Sequence, residues 1–203
     1  MLYATDLRLR PDGAAGLLVS SIEAFAQYQQ QQAWVWEHQA LTRARYVAGD
    51  ARVGEAFERI RKEVICQRRD LTKLKQEVLT MRQKMLDAHP NPAELFDLKH
   101  DRGGIIDVEF MVQYLVLGHA CEHPELTDNI GNIALLKLAG KLGLIPLAAA
   151  ATVSNAYREL RRAQHRLRLG GDSQKLARIE ADHLNDARAA VLRLWEQVFG
   201  ESP

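Results

Sequence analysis

Apolar residues along this chain repeat with two different periods, and the change of period divides it. Over residues 2–10 the repeat is two. Leu7 and Leu9 fall on one side and Asp6, Arg8 and Arg10 on the other, as in a strand with one buried face. Pro11-Asp12-Gly13 supplies turn chemistry. Beyond it the repeat is mostly helical. Ser20-Ser21-Ile22-Glu23 has the form of a capping box and predicts a helix to about Gln32. Trp34 to Arg43 predicts a second, short helix. Arg45-Tyr46-Val47-Ala48 reads as a returning strand closed by Gly49-Asp50, and Asp50 is placed to cap a helix running to about Arg68.

From Leu71 the spacing narrows to a coiled-coil-like seam of Leu71, Leu74, Val78, Met81 and Met85, ended by His89-Pro90-Asn91-Pro92. Phe96 to Lys99 reads as a short extended piece. Gly103-Gly104 then turns the chain into a very apolar helix from Ile105 to about Ala120. Three more helices are predicted: Ile130 to Leu142 with Gly143 as its C′ glycine, Leu147 to Leu169 before Gly170-Gly171, and about Asp182 to Phe199. The expected core of a bundle over residues 93–199 includes Ile106, Phe110, Tyr114, Leu115, Leu135, Leu138, Leu160, Leu167 and Trp195. The fold class is thus mainly α, a helical bundle preceded by a small α/β part. The division is residues 1–49, connecting helices over 50–90, and a C-terminal bundle over 91–203.

Composition narrows the function. The 203 residues are 47% apolar, enough for a sizeable core, and carry a net charge of +1. That balance gives no general footprint for nucleic acid or a membrane surface. Cys66 and Cys121 are too few for a disulfide framework, which points to a reducing cytoplasm. Residues 1–30 lack the basic start and apolar run of a signal peptide, and no apolar stretch spans a bilayer.

Five stretches carry candidate chemistry. Asp6, Arg8 and Arg10 share one strand face. An acid that holds a divalent cation beside arginines that hold phosphate is the equipment of nucleotidyl transfer. A solvated face with a cross-strand ion pair accounts for the same pattern. Glu37 shares its predicted helix face with Leu41 and Ala44, so it needs a donor or cation, for which Arg8, Arg10 and Arg45 are available. It is either a structural partner of one of them or part of a substrate site. In the block from Asp97 through Lys99 to Gln113, Gly103-Gly104 followed by Asp107 and Glu109 superficially resembles the glycine turn and paired acids of polymerase-beta-like nucleotidyltransferases. That reading is rejected, because residues two apart at a helix start diverge by about 200°. Asp107 and Glu109 instead suit the first turns of a helix. Glu109 and Gln113 form a polar stripe expected to contact the neighbouring catalytic domain, with ordinary helix capping as the alternative. His119 and His123 have ligand spacing but no evident third ligand. Arg158, Arg161, Arg162, Arg166 and Arg168 crowd one helix with His165, as a solvated face or a basic docking surface.

Three blocks then carry a resemblance that covers nearly the whole chain. LYATDLRLRPDGAAGLLVSSIEAFAQYQ at 2–29, AWVWEHQALTRARYVAGD at 33–50 and DLKHDRGGIIDVEFMVQYLVL at 97–117 resemble the glutamine synthetase adenylyltransferase family in order and spacing. The resemblance implies two related nucleotidyltransferase halves in the parent. One attaches AMP from ATP to a tyrosine of glutamine synthetase, and the other removes it by phosphorolysis. It implies a polymerase-beta-like fold, with a helical bundle after each catalytic domain. Residues 1–49 would then be the remnant of such a domain, with Asp6 as its third metal-binding acid and as a catalytic residue. The first two acids, in a Gly-Ser…Asp-x-Asp strand, would precede residue 1, so the chain alone is expected to be inactive. Mg²⁺ would be the metal, and Arg8, Arg10 and Arg45 would bind the nucleotide. Glu37, Lys99, Asp107, Glu109 and Gln113 would support them. The partners implied are glutamine synthetase and the PII signal protein, with no nucleic acid and no membrane. The polar ending LRLWEQVFGESP is read as a protein terminus, which favours the C-terminal, adenylylating half. Three other readings compete: a helical module that binds glutamine synthetase or PII, the deadenylylating half of the same enzyme, and a PII uridylyltransferase, against which the absence of an HD-type metal motif argues.

Overall fold

The structure is a computed structural model that describes residues 16–92, 95–169 and 178–200. Among them are eight α-helices and one two-stranded antiparallel sheet, a mainly α fold. The strand expected at 2–10, with Asp6, Arg8 and Arg10, and the turns at Pro11-Asp12-Gly13 and Gly170-Gly171, lie outside the described residues. The chain forms two compact units: residues 1–70 with 116–129, and 71–115 with 130–203.

In the first unit, α1 (Ile22–Gln31) is capped by Ser21, whose hydroxyl accepts the Ala24 N–H at 3.1 Å. The cap falls one residue after Ser20, so Glu23 sits in the first turn, where the helix dipole favours it. α2 (Val35–Leu41) begins where the Trp34 N–H donates to the Glu37 carboxylate at 2.8 Å. Residues 45–48 do not form the expected strand. They are a loop held by Tyr46, whose N–H donates to Glu58 at 2.9 Å and whose hydroxyl donates to the Gly49 carbonyl at 2.7 Å. The Tyr46 ring lies so close to Gly54 that a Cβ there would be 2.7 Å from it. α3 (Ala51–Ile65) is capped by Asp50 as expected, and Arg69 closes its other end by donating to the Val64 carbonyl at 2.9 Å. Leu41, Ile60 and Val64 form the core of this unit, with Ile22, Phe25 and Phe57 against it.

Buried Arg61 ties these pieces together. Its guanidinium donates to the carbonyls of Leu41, Thr42 and Thr127 at 3.1, 2.8 and 2.8 Å. The first two belong to the end of α2, where carbonyls lack helical partners. Thr127 lies in the short 3₁₀ turn Pro124–Thr127.

In the second unit, α4 (Leu71–Ala88) buries Leu74, Val78 and Arg82. The buried row is therefore i, i+4, i+8, not the expected 3.5-residue seam: Leu71 is exposed, and Met81 and Met85 are only half-buried. β1 (Phe96–Asp97) pairs with β2 (Arg178–Ile179), Phe96 opposite Ile179. α5 (Ile105–His119) follows the two glycines as expected. α6 (Asn132–Lys141) ends in a Schellman turn at Gly143, with the Leu144 N–H donating to Ala139 and the Gly143 N–H to Gly140. α7 (Leu147–Leu169) packs against α6, and Gly140 permits the approach: a Cβ there would lie 2.8 Å from that of Ala150. α8 (Asn185–Phe199) starts three residues after Asp182 because Ala181–Leu184 coil as a 3₁₀ turn. Of the nine expected core residues, seven are buried; Leu138 and Leu167 are half-buried at the flanks.

Gly103 and Gly104 are needed for different reasons. Gly103 has φ +83°, and a Cβ there would stand 2.6 Å from Cγ of Arg188. At Gly104 the obstacle is backbone: a Cβ would lie 2.8 Å from the carbonyl oxygens of both Leu98 and Asp101. Those carbonyls accept from Ile105 and Gly104 and so build the turn into α5. Gly104→Ala should destabilise the protein by about 1–3 kcal/mol. Thermal melting followed by circular dichroism checks this, and an unchanged midpoint would refute the steric account.

Candidate functional site

The first unit contains a cleft of about 470 Å³ between the start of α1 and the loop before α3. Its walls include Ser20, Ser21 and Phe25 on one side and Arg45, Tyr46 and Val47 on another, with Val53, Gly54 and Phe57 of α3. Arg45, expected to bind nucleotide, is exposed on this cleft. Glu37 is not among its lining residues. The Glu37 carboxylate is half-buried and accepts the Tyr28 hydroxyl at 2.9 and 3.1 Å as well as the Trp34 N–H. Among the described residues its partners are therefore a phenol and a backbone amide, not an arginine. The cleft joins mostly apolar walls to hydroxyls and to one residue of each charge, Arg45 and Asp50.

Beside Glu37 the sequence reading passed over His38. Buried in α2, it faces the Gln29 carbonyl through Nε2 at 2.9 Å and Nη1 of Arg69 through Nδ1 at 3.2 Å. The carbonyl requires the proton on Nε2, which leaves Nδ1 to accept from the guanidinium. Burial pushes its pKa down, and the Arg69 charge adds to this.

In the second unit the block 97–109 is a knot of satisfied polar groups. Oδ1 of Asp97 accepts the N–H groups of Lys99 and His100 at 2.9 and 3.0 Å, and Oδ2 faces Nδ1 of His100 at 3.2 Å. Burial raises the Asp97 pKa, but these donors outweigh it and hold the carboxyl below the usual range. Asp101 accepts from the Asp97 N–H and from Asn91. Asp107 is fully buried. Its oxygens meet Nε of Arg82 at 2.5 Å and the Gly103 N–H at 2.6 Å. Burial pushes its pKa up, against the pull of both donors. Arg82, itself without exposed surface, also donates to the His100 carbonyl at 2.7 Å.

The remaining expected residues divide. The Lys99 side chain is exposed. Glu109 accepts the Tyr157 hydroxyl at 3.2 Å, and that hydroxyl accepts from Asn132 at 2.9 Å. Glu109 thus has Tyr157 of its own unit as a partner, and Gln113 is buried one turn further along α5. Asp97, Asp101 and Asp107 are committed to internal donors, and no three His, Cys, Asp or Glu among the described residues are placed to hold a metal ion. Cys66 and Cys121 are both free thiols. No described helix is long and apolar enough to cross a membrane.

Comparison with known proteins decides the family. Residues 1–60 match the family model for glutamate-ammonia ligase adenylyltransferase, and residues 70–194 match that for GlnD PII-uridylyltransferase. Proteins named bifunctional glutamine synthetase adenylyltransferase/adenylyl-removing enzyme align with almost all of the chain. That of Nitrosomonas europaea is 65% identical over 98% of it. Those of Aromatoleum aromaticum and Bordetella bronchiseptica are 58% identical over 100% and 98%. The chain belongs to the glutamine synthetase adenylyltransferase family. Its residues 70–194 also belong to the family described as GlnD PII-uridylyltransferase. Adenylyltransferases that align over 98–100% of this chain include the same segment, so that label marks a part the two kinds of enzyme share. The chain spans 21–23% of the length of these adenylyltransferase relatives. The adenylyltransferase model covers the cleft, Glu37 and Arg45, while the segment 70–194 holds the Arg82–Asp107 pair.

Two outcomes are expected. Arg82→Met strands the Asp107 carboxylate and should cost about 3–5 kcal/mol, whereas Arg82→Met with Asp107→Leu should cost far less. Urea denaturation measures both, and equal losses would show that the pair is not the cause. His38, His100 and His119 all have pKa values lowered, in each case chiefly by burial. The fold prefers their neutral forms. Their contribution is therefore complete above about pH 6.5, the unfolded value, and is lost as pH falls through the lower folded values. The melting temperature should decline below about pH 6.5, and a flat profile between neutrality and mild acid would contradict this.

Proposed function

We propose that this chain is the part of a glutamine synthetase adenylyltransferase that carries the end of its adenylylating nucleotidyltransferase domain and the helical bundle after it. The parent transfers AMP from ATP to a tyrosine of glutamine synthetase in the cytoplasm and so regulates nitrogen assimilation. The observation that carries this reading is identity of 58–65% over 98–100% of the chain with proteins named bifunctional glutamine synthetase adenylyltransferase/adenylyl-removing enzyme. The match of residues 1–60 to the adenylyltransferase family supports placing the chemistry there.

On this reading residues 1–49 belong to the catalytic domain, 50–90 connect, and 91–203 form the bundle that meets glutamine synthetase and the PII signal protein. Asp97 and Asp107 do not fit a Mg²⁺ site, since both oxygens of each face internal partners. The resemblance to the family's motif assigns the cation to Asp6, with partner acids supplied by the rest of the parent. When bound, it would offset charge on the transferred phosphate. Arg8, Arg10 and Arg45 hold the phosphates, and Arg45 does so from the rim of the cleft. Glu37, oriented by Tyr28, supports the helix that precedes it. Lys99, Asp107, Glu109 and Gln113 keep a supporting role in the bundle.

The test uses the full-length enzyme. Asp6→Asn should reduce AMP transfer to glutamine synthetase at least about a hundredfold with the fold intact. This chain alone should fold and bind ATP weakly at most, without turnover, because one acid beside two arginines is a poor cation site. Calorimetric titration with Mg²⁺ and ATP, and an AMP-transfer assay in both directions, measure this. Turnover by the isolated chain near the full-length rate would refute it.

A further inference from the structure

The sequence holds two cysteines, Cys66 and Cys121, and the fold gathers both into the first unit. Cys66 closes α3, its N–H donating to the Lys62 carbonyl at 2.9 Å. Cys121 stands in a tight turn just past the end of α5, where the N–H groups of Glu122 and His123 both donate to the His119 carbonyl, at 3.0 and 2.9 Å. Arg61, about a turn and a half of helix before Cys66, fastens the stretch after this turn to α3 through the Thr127 carbonyl. Ala120 just before Cys121 and Leu126 just beyond it are buried. The two thiols also act on one another. Burial pushes the Cys66 thiol up and a charge on Cys121 adds to that, while Lys62 and Arg61 draw it back. Cys66 is half-buried and Cys121 is exposed.

Packing does not account for this pair. A free cysteine serves a core as a small apolar group, and Cys121 is outside the core. Metal binding needs more ligands. His119 and His123 flank Cys121 in sequence, yet among the described residues no three His, Cys, Asp or Glu are placed to hold an ion. Oxidation to a disulfide needs only the two sulfurs. Both stand at the ends of their elements, where the backbone can settle to the geometry of the bond without opening a helix.

We infer that Cys66 and Cys121 are a modification site, a thiol pair that a peroxide closes into an intramolecular disulfide between the end of α3 and the turn after α5. Cys121, the exposed sulfur, meets the oxidant. Its thiolate attacks one peroxide oxygen, the O–O bond breaks, and the departing hydroxide takes up a proton as water, leaving a sulfenic acid. The Cys66 sulfur then attacks that sulfur and gives up its proton, and the S–O bond breaks to release a second water. Two thiols and one hydrogen peroxide thus become one disulfide and two waters, the two electrons passing from sulfur to oxygen. Where thiols are kept reduced, such a bond is transient and registers oxidation. The pair serves this role whatever the parent transfers.

The experiment uses this chain, whose two cysteines make the result unambiguous. It is treated with hydrogen peroxide, blocked with a maleimide in denaturant, and read by mass spectrometry and non-reducing electrophoresis. The product should be monomeric, two hydrogens lighter and unlabelled, and dithiothreitol should restore both labels. Equilibration in glutathione redox buffers then measures the effective concentration of one thiol at the other. It should be at least about tenfold higher in the folded chain than in urea. Cys121→Ser, an exposed position that leaves the fold in place, should keep Cys66 open to the maleimide after the same peroxide treatment. An effective concentration no higher than in urea would overturn the inference. So would oxidation that stops at Cys121 with Cys66 still labelled, or disulfides formed only between two chains.

Discussion

A guanidinium keeps its charge at any pH a protein meets, so Arg82, which has no exposed surface, must be answered from within. Removing an ion from water costs several kcal/mol, and only close, well-directed partners offset that. The second unit supplies them from one short stretch. The carboxylate of Asp107 and the carbonyl of His100 converge on Arg82, and the Gly103 N–H holds the carboxylate's other oxygen. For those groups to converge, residues 97–104 must fold back on themselves. That is why two adjacent positions there admit no side chain, one for its dihedral angle and one for its backbone neighbours. The start of α5, the course of β1 and the last turns of α4 all follow from answering one charge.

The first unit uses the same device in a milder form. Arg61 meets mainly backbone carbonyls, with Glu58 as a more distant carboxylate at 3.4 Å. Burial draws its pKa down, and the neighbouring acids draw it back. An arginine used this way joins segments distant in sequence without requiring either to be a strand. It is an economical joint for a unit in which short helices leave many carbonyl ends unpaired.

Much of this was legible in the sequence, and the misses share a cause. Asp50 as a cap, Gly143 as a C′ residue and the span of α7 depend on local chemistry, which a sequence displays directly. The α4 register was misread because Met81 and Met85 are apolar and Arg82 is not. Periodicity assigns the arginine to solvent, and only partners at 100 and 107 reverse that. Arg45 to Ala48 have strand-like composition, yet Tyr46 finds an acceptor for its hydroxyl at Gly49 and one for its N–H at Glu58, so no ladder is needed. Glu37 was rightly seen to need a donor. Its described donors came from Tyr28 and its own helix start, because a phenol nine residues away is close once two short helices fold together. For the candidate site, the sequence singled out Arg45 without its cleft, and missed His38 altogether.

The pairing of Phe96 with Ile179 also bears on how the chain assembles. Closing so long a loop carries an entropic cost that local helices do not bear, and it must be met before the pair returns anything. On a ribosome, β1 emerges with α4 already behind it and waits through the synthesis of α5, α6 and α7 for its other half. During that interval Phe96 and the edge of β1 have no mate, whereas each helix can satisfy its own backbone as it appears. The strand pair is thus a clasp that can fasten only after α7 has been made, and α8 follows directly behind it.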